Sequence, residues 1–398
     1  MASTSEHQRS RSARVRSLLS REGQIVLRAN PFGTQADYAQ FLHGPVEWKR
    51  LLSLAEHERA TLPLWRVIRN SPLAAGGDGA KALRALAQVW EFKLFHLERM
   101  FEEAIAAFAH EGLTVLLLKG AAAAVSVYGG FSRRPMVDVD LLVEEGRGET
   151  AWVLAQEIGW NWDPRRHPRE SYSNAHHLPP LYDSFGASCG MEIHTRLWMP
   201  DSPFSFGETD LWERSIEVEV KGTRCRVPCV ADQLLHTCIH FAWSHRLKSH
   251  GWRAFSDVAA YLRSGEIGWD DFVSRAHSAG ADSCAYWTLR LARSVCDAPV
   301  PAEVLESLRP AGSSRLLDLL ERQYVTNLLP DERGTPSLAL ARRLWRMGIQ
   351  RGPGSNGIDL PDDPKPMLLR ERVRHHVKQL PQWWEYVRRV VQVDSAPE

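Results

Sequence analysis

The stretch that decides the fold runs from Leu113-Thr114-Val115-Leu116-Leu117-Leu118-Lys119-Gly120, through an alanine-rich segment to Val127, to Met136-Val137-Asp138-Val139-Asp140-Leu141-Leu142-Val143. Gly112 is a plausible helix stop, and Leu113 to Leu118 is a short apolar run of strand length. Lys119 and Gly120 then open a helix that Gly129 and Gly130 end, so the local order is strand, turn, helix. The segment from Met136 alternates with period two. Asp138 and Asp140 therefore share one strand face, and Val137, Val139 and Leu141 the other. A helix from about Glu149 to Ile158 and a loop rich in Pro, Arg and His lead to a second alternating segment, Met191-Glu192-Ile193-His194, where Glu192 and His194 again share a face.

Working outward, the pattern becomes helical on both sides. Trp48, Leu51, Leu52, Leu54 and Ala55 recur at helical spacing, as do Leu83, Leu86, Val89, Trp90, Leu94, Leu97 and Phe101. After Pro228 helices are expected to near Leu262, then over 270–296 and 313–345. Residues 1–35 are polar and aperiodic and read as a disordered tail, and 350–366, rich in Gly and Pro, as a linker. The expected division is a tail (1–35), an N-terminal helical region (36–110), a core (111–228), a helical domain (229–349), and a linker with a basic C-terminal helix (350–398).

Two acids on one buried strand face are costly, because each desolvated charge wants a partner and the two repel across roughly two residue rises. A divalent cation removes that cost. Magnesium takes oxygen ligands and commonly sits between carboxylates and substrate phosphates, so Asp138, Asp140 and Glu192 suit a phosphoryl-transfer site. The plainer alternative is an exposed strand edge whose acids pair with Arg133 or Arg134. Lys119-Gly120 places backbone N–H groups and a positive helix end where a phosphate is welcome, or else makes only a turn with a solvated lysine.

The 398 residues carry 49 Lys and Arg against 48 Asp and Glu, a net charge of +1, with 44% hydrophobic and 24% charged residues. This is globular composition without a global field for nucleic acid or membrane. No apolar run approaches the roughly 20 residues of a bilayer span. Six cysteines in a chain of this length are too few for a disulfide framework, which favours the cytoplasm. The arginine- and serine-rich start resembles an organelle transit segment, though a solvated arm explains it more simply.

Taken together, Leu118-Lys119-Gly120-Ala121, Tyr128, Arg134, Asp138-Val139-Asp140-Leu141-Leu142-Val143, Glu192-Ile193-His194, the helix with His236, His240 and His245, and Trp252 with Asp257 resemble the uncharacterised nucleotidyltransferase family of the polymerase-β-type superfamily. The resemblance covers about residues 45 to 265. It implies an α+β fold, a minimal nucleotidyltransferase core of small mixed sheet and helices with helical flanks. It implies metal-binding acids at Asp138, Asp140 and Glu192, a nucleotide site at Lys119, Gly120 and Arg134, and Mg2+ or Mn2+ as cofactor. Where the wider superfamily reads Gly-Ser or Gly-Gly, this chain has Gly120-Ala121, so Lys119 replaces the serine hydroxyl as phosphate donor.

The activity so implied moves a nucleoside monophosphate from a nucleoside triphosphate to an acceptor, which the sequence leaves open among protein, peptide, small molecule and RNA. Two other classes compete: a non-catalytic nucleotide- or partner-binding module, and a metal-dependent hydrolase centred on the histidines from His236 to His245. His194, His240 and His245 are candidate substrate contacts. Cys225, Cys229, His236, Cys238 and His240 crowd together, but no C-x-x-C pair supports zinc. The basic stretch 365–391, interleaved with Trp383, Trp384 and Tyr386, fits either a nucleic-acid backbone or a solvated helix.

Overall fold

A computed structural model describes residues 12–29 and 42–329, apart from 185, 187, 188, 201, 249, 250 and 266. The expected linker and basic C-terminal helix, and the end of the helix expected over 313–345, lie outside the described residues. The fold is α+β, a mixed sheet of seven strands flanked by helices, with strand order β3-β4-β5-β2-β1-β7-β6. In chain order the strands are β1 (Val115–Leu118), β2 (Asp138–Val143), β3 (Trp160–Trp162), β4 (Leu181–Asp183), β5 (Gly190–His194), β6 (Ile216–Val220) and β7 (Thr223–Val227). Strands β2 and β5 run parallel, as do β1 and β7, and the remaining pairs are antiparallel.

Register turns the period-two pattern into two chemically different faces. Leu118 pairs with Asp140, Asp140 with Glu192, and Leu142 with His194, so these residues project together. The opposite face carries Leu117, Val139, Leu141, Met191 and Ile193, which pack against Leu94, Leu97, Phe101, Ala104 and Phe108 of the long helix Gly77–His110. On the acid-bearing face, Leu116, Leu118 and Leu142 join a second core with Leu234, Leu235 and Cys238 of the helix Val230–Ile239 and Trp252 of the helix Gly251–Ser264. The acids thus lie on the face that the later helices cover.

Part of the expected tail is instead structured. Arg21–Arg28 is a helix with Ser20 at its N-cap, whose Oγ accepts from the Gly23 N–H at 3.1 Å, and Ile25 and Val26 are fully buried. Eight residues are too few to show a period in sequence, and burial against the rest of the chain supplies what an isolated helix of that length lacks. The helix expected over 270–296 is two, Trp269–Ser278 and Asp282–Cys296, parted at Gly280 with φ +67°. Among the described residues, no helix is long and apolar enough to cross a membrane.

Candidate active site

Asp138, Asp140 and Glu192 line one cavity of about 310 Å³, whose other walls include Lys119, Gly120 and Arg134 from the sheet side and His236, His240, His245 and Asp257 from the helical side. The sequence reading named all of these residues, Arg134 and Asp257 through the family resemblance rather than through spacing. Asp140 is the most buried of the three acids, 5% exposed. Its Oδ1 accepts from Lys119 Nζ at 2.6 Å and from His194 Nε2 at 3.0 Å, and Lys119 Nζ is 3.9 Å from Glu192 Oε2. His194 is fully buried beneath the cavity and does not line it, so its contact is with Asp140 rather than with the cavity space. Its Nδ1 has no hydrogen-bond partner among the described residues.

The electrostatics divide the acids. Burial alone would raise the pKa of Asp140, but Lys119 and His194 hold it well below the usual carboxylate range. Asp138 goes the other way, raised by burial and then by the charges of Asp140 and Glu192. Burial opposes the Lys119 charge, yet Asp140 and Glu192 raise its pKa above the ordinary lysine value. Lys119 also sits at φ +45°, a conformation that a side chain with Cβ rarely adopts. That strain, of the order of 1 kcal/mol, turns the first residue after β1 so that its ammonium reaches the acids.

Gly120 and Arg134, expected at a nucleotide site, meet at the start of the helix that follows β1. A Cβ at Gly120 would stand 2.7 Å from Arg134 Nη1, so the glycine leaves room for the guanidinium to pass over the start of the helix. Arg134 is held by Asp257 in a two-pronged pair, Nε to Oδ1 at 3.1 Å and Nη2 to Oδ2 at 2.7 Å, and Tyr128 donates its hydroxyl proton to Asp257 Oδ1 at 2.9 Å. This buried network fastens the sheet side of the cavity to the helix Gly251–Ser264.

Two wide π-type turns border the site, Ala124–Tyr128 and His240–Ser244. The second explains the five-residue spacing of His240 and His245: the widened turn brings their Nε2 atoms to 3.0 Å. Burial, then Arg253, lowers His245 to about 4, and burial, then Lys119, lowers His240 well below the histidine range. His236 is pushed down to about 3 by burial, and its Nε2 has no partner among the described residues. These are neutral rings at neutral pH.

The sequence reading missed two charged wall residues, Arg59 and Arg253. Arg59, at φ +58°, lies in the turn between the helices Trp48–His57 and Thr61–Ile68, while Arg253 is in the first turn of Gly251–Ser264. Their neighbours are tied together, since Glu58 Oε2 accepts from the Trp252 N–H at 2.9 Å, which sets both guanidinium groups on one wall. Neither forms an ion pair among the described residues. Burial, then the Arg59 charge, lowers Arg253 to about 10. No local pattern in the sequence marks residues 59 and 253 as neighbours of Lys119.

A metal ion fits this chemistry. Asp140, Glu192 and His194 bring one ligand atom each within 4.8 Å of one another, and among the described residues they are the one such cluster of three. His236, His240 and His245 do not make another, nor do Cys225, Cys229 and Cys238. Asp138 shares the cavity and adds a carboxylate whose pKa is raised by burial and then by its acidic neighbours.

No curated protein and no solved structure matches the chain. A family model does, described as "Uncharacterised nucleotidyltransferase" and matching residues 44–297, which takes in every strand and every wall of the cavity. With acids from two parallel strands facing cations across one cavity inside that matched span, the chain belongs to the uncharacterised nucleotidyltransferase family.

Proposed function

We propose that this protein transfers a nucleoside monophosphate from a nucleoside triphosphate to an acceptor hydroxyl or phosphate, with Asp138, Asp140 and Glu192 as the catalytic and metal-binding residues. The observation that carries the reading is that these acids and the cations Arg59, Lys119 and Arg253 line the walls of one cavity. A metal–triphosphate complex carries both signs of charge, and this cavity offers a partner for each. Mg2+ or Mn2+, held by the acids, would neutralise charge on the transferring group and orient it.

The residues of the chain have separate tasks. Arg59 and Arg253 bind the β- and γ-phosphates, and Lys119 neutralises the acid cluster until substrate arrives. An acceptor oxygen forms a bond to the α-phosphorus as the α–β bridging bond breaks, and pyrophosphate leaves with the electron pair. The acceptor proton passes to a carboxylate of the cavity as the new bond forms. His194 holds Asp140 in place through its 3.0 Å contact. His240 and His245, neutral and close together, are placed to accept hydrogen bonds from the acceptor.

The test is incubation of the purified protein with each labelled nucleoside triphosphate and Mg2+ or Mn2+, read by pyrophosphate release and by mass spectrometry of the protein and of an added cell extract. Nucleotide adducts with the parent protein, absent with Asp140→Asn, support the reading. Neither adduct nor pyrophosphate from the parent with any of the nucleotides overturns it and favours the non-catalytic binding module.

A further inference from the structure

Asp138 and Glu192 also border a second recess, of about 600 Å³, on the other side of the acids from Arg59 and Arg253. Its floor is written in the sheet register. Asp138 pairs with Gly190, Gly190 with Tyr182, and Tyr182 with Asn161, so four side-chain positions cross β2, β5, β4 and β3 in one row on one face. The glycine leaves a gap in that row between a carboxylate and an aromatic ring. A Cβ at Gly190 would make only ordinary contacts, 3.6 Å to Asp138 Cβ and 3.8 Å to the Leu181 carbonyl, so neither crowding nor backbone conformation demands the glycine here.

The far wall is locked in advance. Tyr182 Oη lies 2.9 Å from His167 Nε2, His167 Nδ1 lies 2.6 Å from Tyr172 Oη, and the His167 carbonyl accepts from Trp162 Nε1 at 2.8 Å. The Arg166 guanidinium covers the Tyr182 ring at 5.3 Å. A guanidinium plane backed by an aromatic ring is a surface on which a planar heterocycle stacks. The charge of the recess is the reverse of a phosphate site, with Asp138, Asp163, Asp183 and Glu192 against Arg166 alone.

We infer that this recess holds the nucleoside end of the triphosphate, with Gly190 as its floor; the assignment rests on the proposed function. A nucleoside triphosphate is polyanionic at one end and an uncharged sugar and heterocycle at the other, joined at the α-phosphorus. The two cavities have matching polarity, cationic on one side and acidic with a planar wall on the other, and the joint falls at the carboxylates that both share. Sugar hydroxyls donate to the carboxylates of the recess, the Asn161 amide meets the base edge, and the base lies on Arg166.

The experiment separates the two ends of the ligand. Binding of the four nucleoside triphosphates as α,β-methylene analogues, and of inorganic tripolyphosphate, is measured by calorimetry with Mn2+ for the parent, Gly190→Val and Asn161→Phe. Both substitutions fill the recess, and Asn161 is exposed, so its variant folds whatever Gly190→Val does. The expected result is nucleotide affinity lowered about tenfold or more in each folded variant with tripolyphosphate affinity unchanged. Nucleotide affinity unchanged, or both ligands weakened alike, overturns the assignment. Should the parent bind neither ligand, the underlying function falls and this assignment with it; tripolyphosphate binding retained by the parent without any preference for nucleotides sinks the recess alone.

Discussion

Replacing Asp257 by asparagine decides whether Arg134 is a strut of the cavity or a hand for the ligand. The side chains of Arg134 and Asp257 are 9% and 6% exposed, and the two bonds between them leave little of either charge to water. Asparagine keeps the shape, so no cavity term enters, and Tyr128 can still donate to the amide oxygen. What is lost is the compensation of a buried guanidinium, for which removal of one partner costs about 3–5 kcal/mol. In a chain of this size that lowers the thermal midpoint by roughly four to six degrees.

The assay is guanidinium unfolding at neutral pH for Asp257→Asn, for Arg134→Met and for the double change Arg134→Met with Asp257→Leu. Each single variant is expected to lose several kcal/mol at an unchanged denaturant slope. The double variant should recover most of it, because a desolvated pair exchanged for apolar groups is commonly neutral or better. A loss under about 1 kcal/mol for Asp257→Asn would place the pair in the range of solvated surface bridges. Arg134 would then be free to leave Asp257 for a phosphate, as its motif suggests.

Two further outcomes follow from the same geometry. Because burial and its acidic neighbours raise Asp138 in the folded state, the native protein retains a proton there that the unfolded chain has released, and stability falls as pH rises above the ordinary aspartate pKa; Asp138→Asn should remove that fall in unfolding curves taken from about pH 4 to about pH 8, and an unchanged pH profile refutes it. Gly120→Ala places a methyl 2.7 Å from Arg134 Nη1 and should cost about 1–3 kcal/mol in the same unfolding assay, less than Asp257→Asn, with the parent stability restored by shortening the arginine in Arg134→Met/Gly120→Ala/Asp257→Leu.

The legible parts of this molecule were those in which one short segment carries both its fold and its chemistry. Strands β1, β2 and β5 are apolar runs, and in β2 and β5 the functional groups occupy alternate positions, so local period alone put Asp138 with Asp140 and Glu192 with His194. Their meeting across strands depends on the parallel pairing of β2 with β5, which no local pattern encodes; the family resemblance implied only a third acid on a later strand. The hairpin of β6 and β7 went unread in the sequence, although Ile216-Glu217-Val218-Glu219-Val220 alternates with period two and its Lys221-Gly222 turn places both residues at positive φ. Arg59 and Arg253 could not be found this way. They are brought together by the Glu58 to Trp252 bond, across 194 positions of sequence, and a contact that long leaves no periodic trace.

The cavity is electrostatically unfinished in a way that its surroundings are not. At its edge Arg134 and Asp257 cancel one another, and in its depth Lys119 and His194 satisfy Asp140. Between them stand groups of both signs that the fold does not let meet. Arg253 is lowered to about 10 by burial and by Arg59, and Asp138 is raised by burial and by its fellow acids, so each is destabilised by like charge while an opposite charge lines the same space. Flexible side chains in water would collapse into pairs. Here the acids sit on paired strands, and the arginines on a turn and a helix start pinned by buried Glu58, so closing the gap would require moving the scaffold. A sequence that tolerates this strain at one place, and cancels charge a few ångströms away, is holding the groups apart for a ligand that carries both signs. Under the proposed function that ligand is the metal–triphosphate complex, and its binding relieves Asp138 and Arg253 together, which is why the two halves of the wall belong to one site.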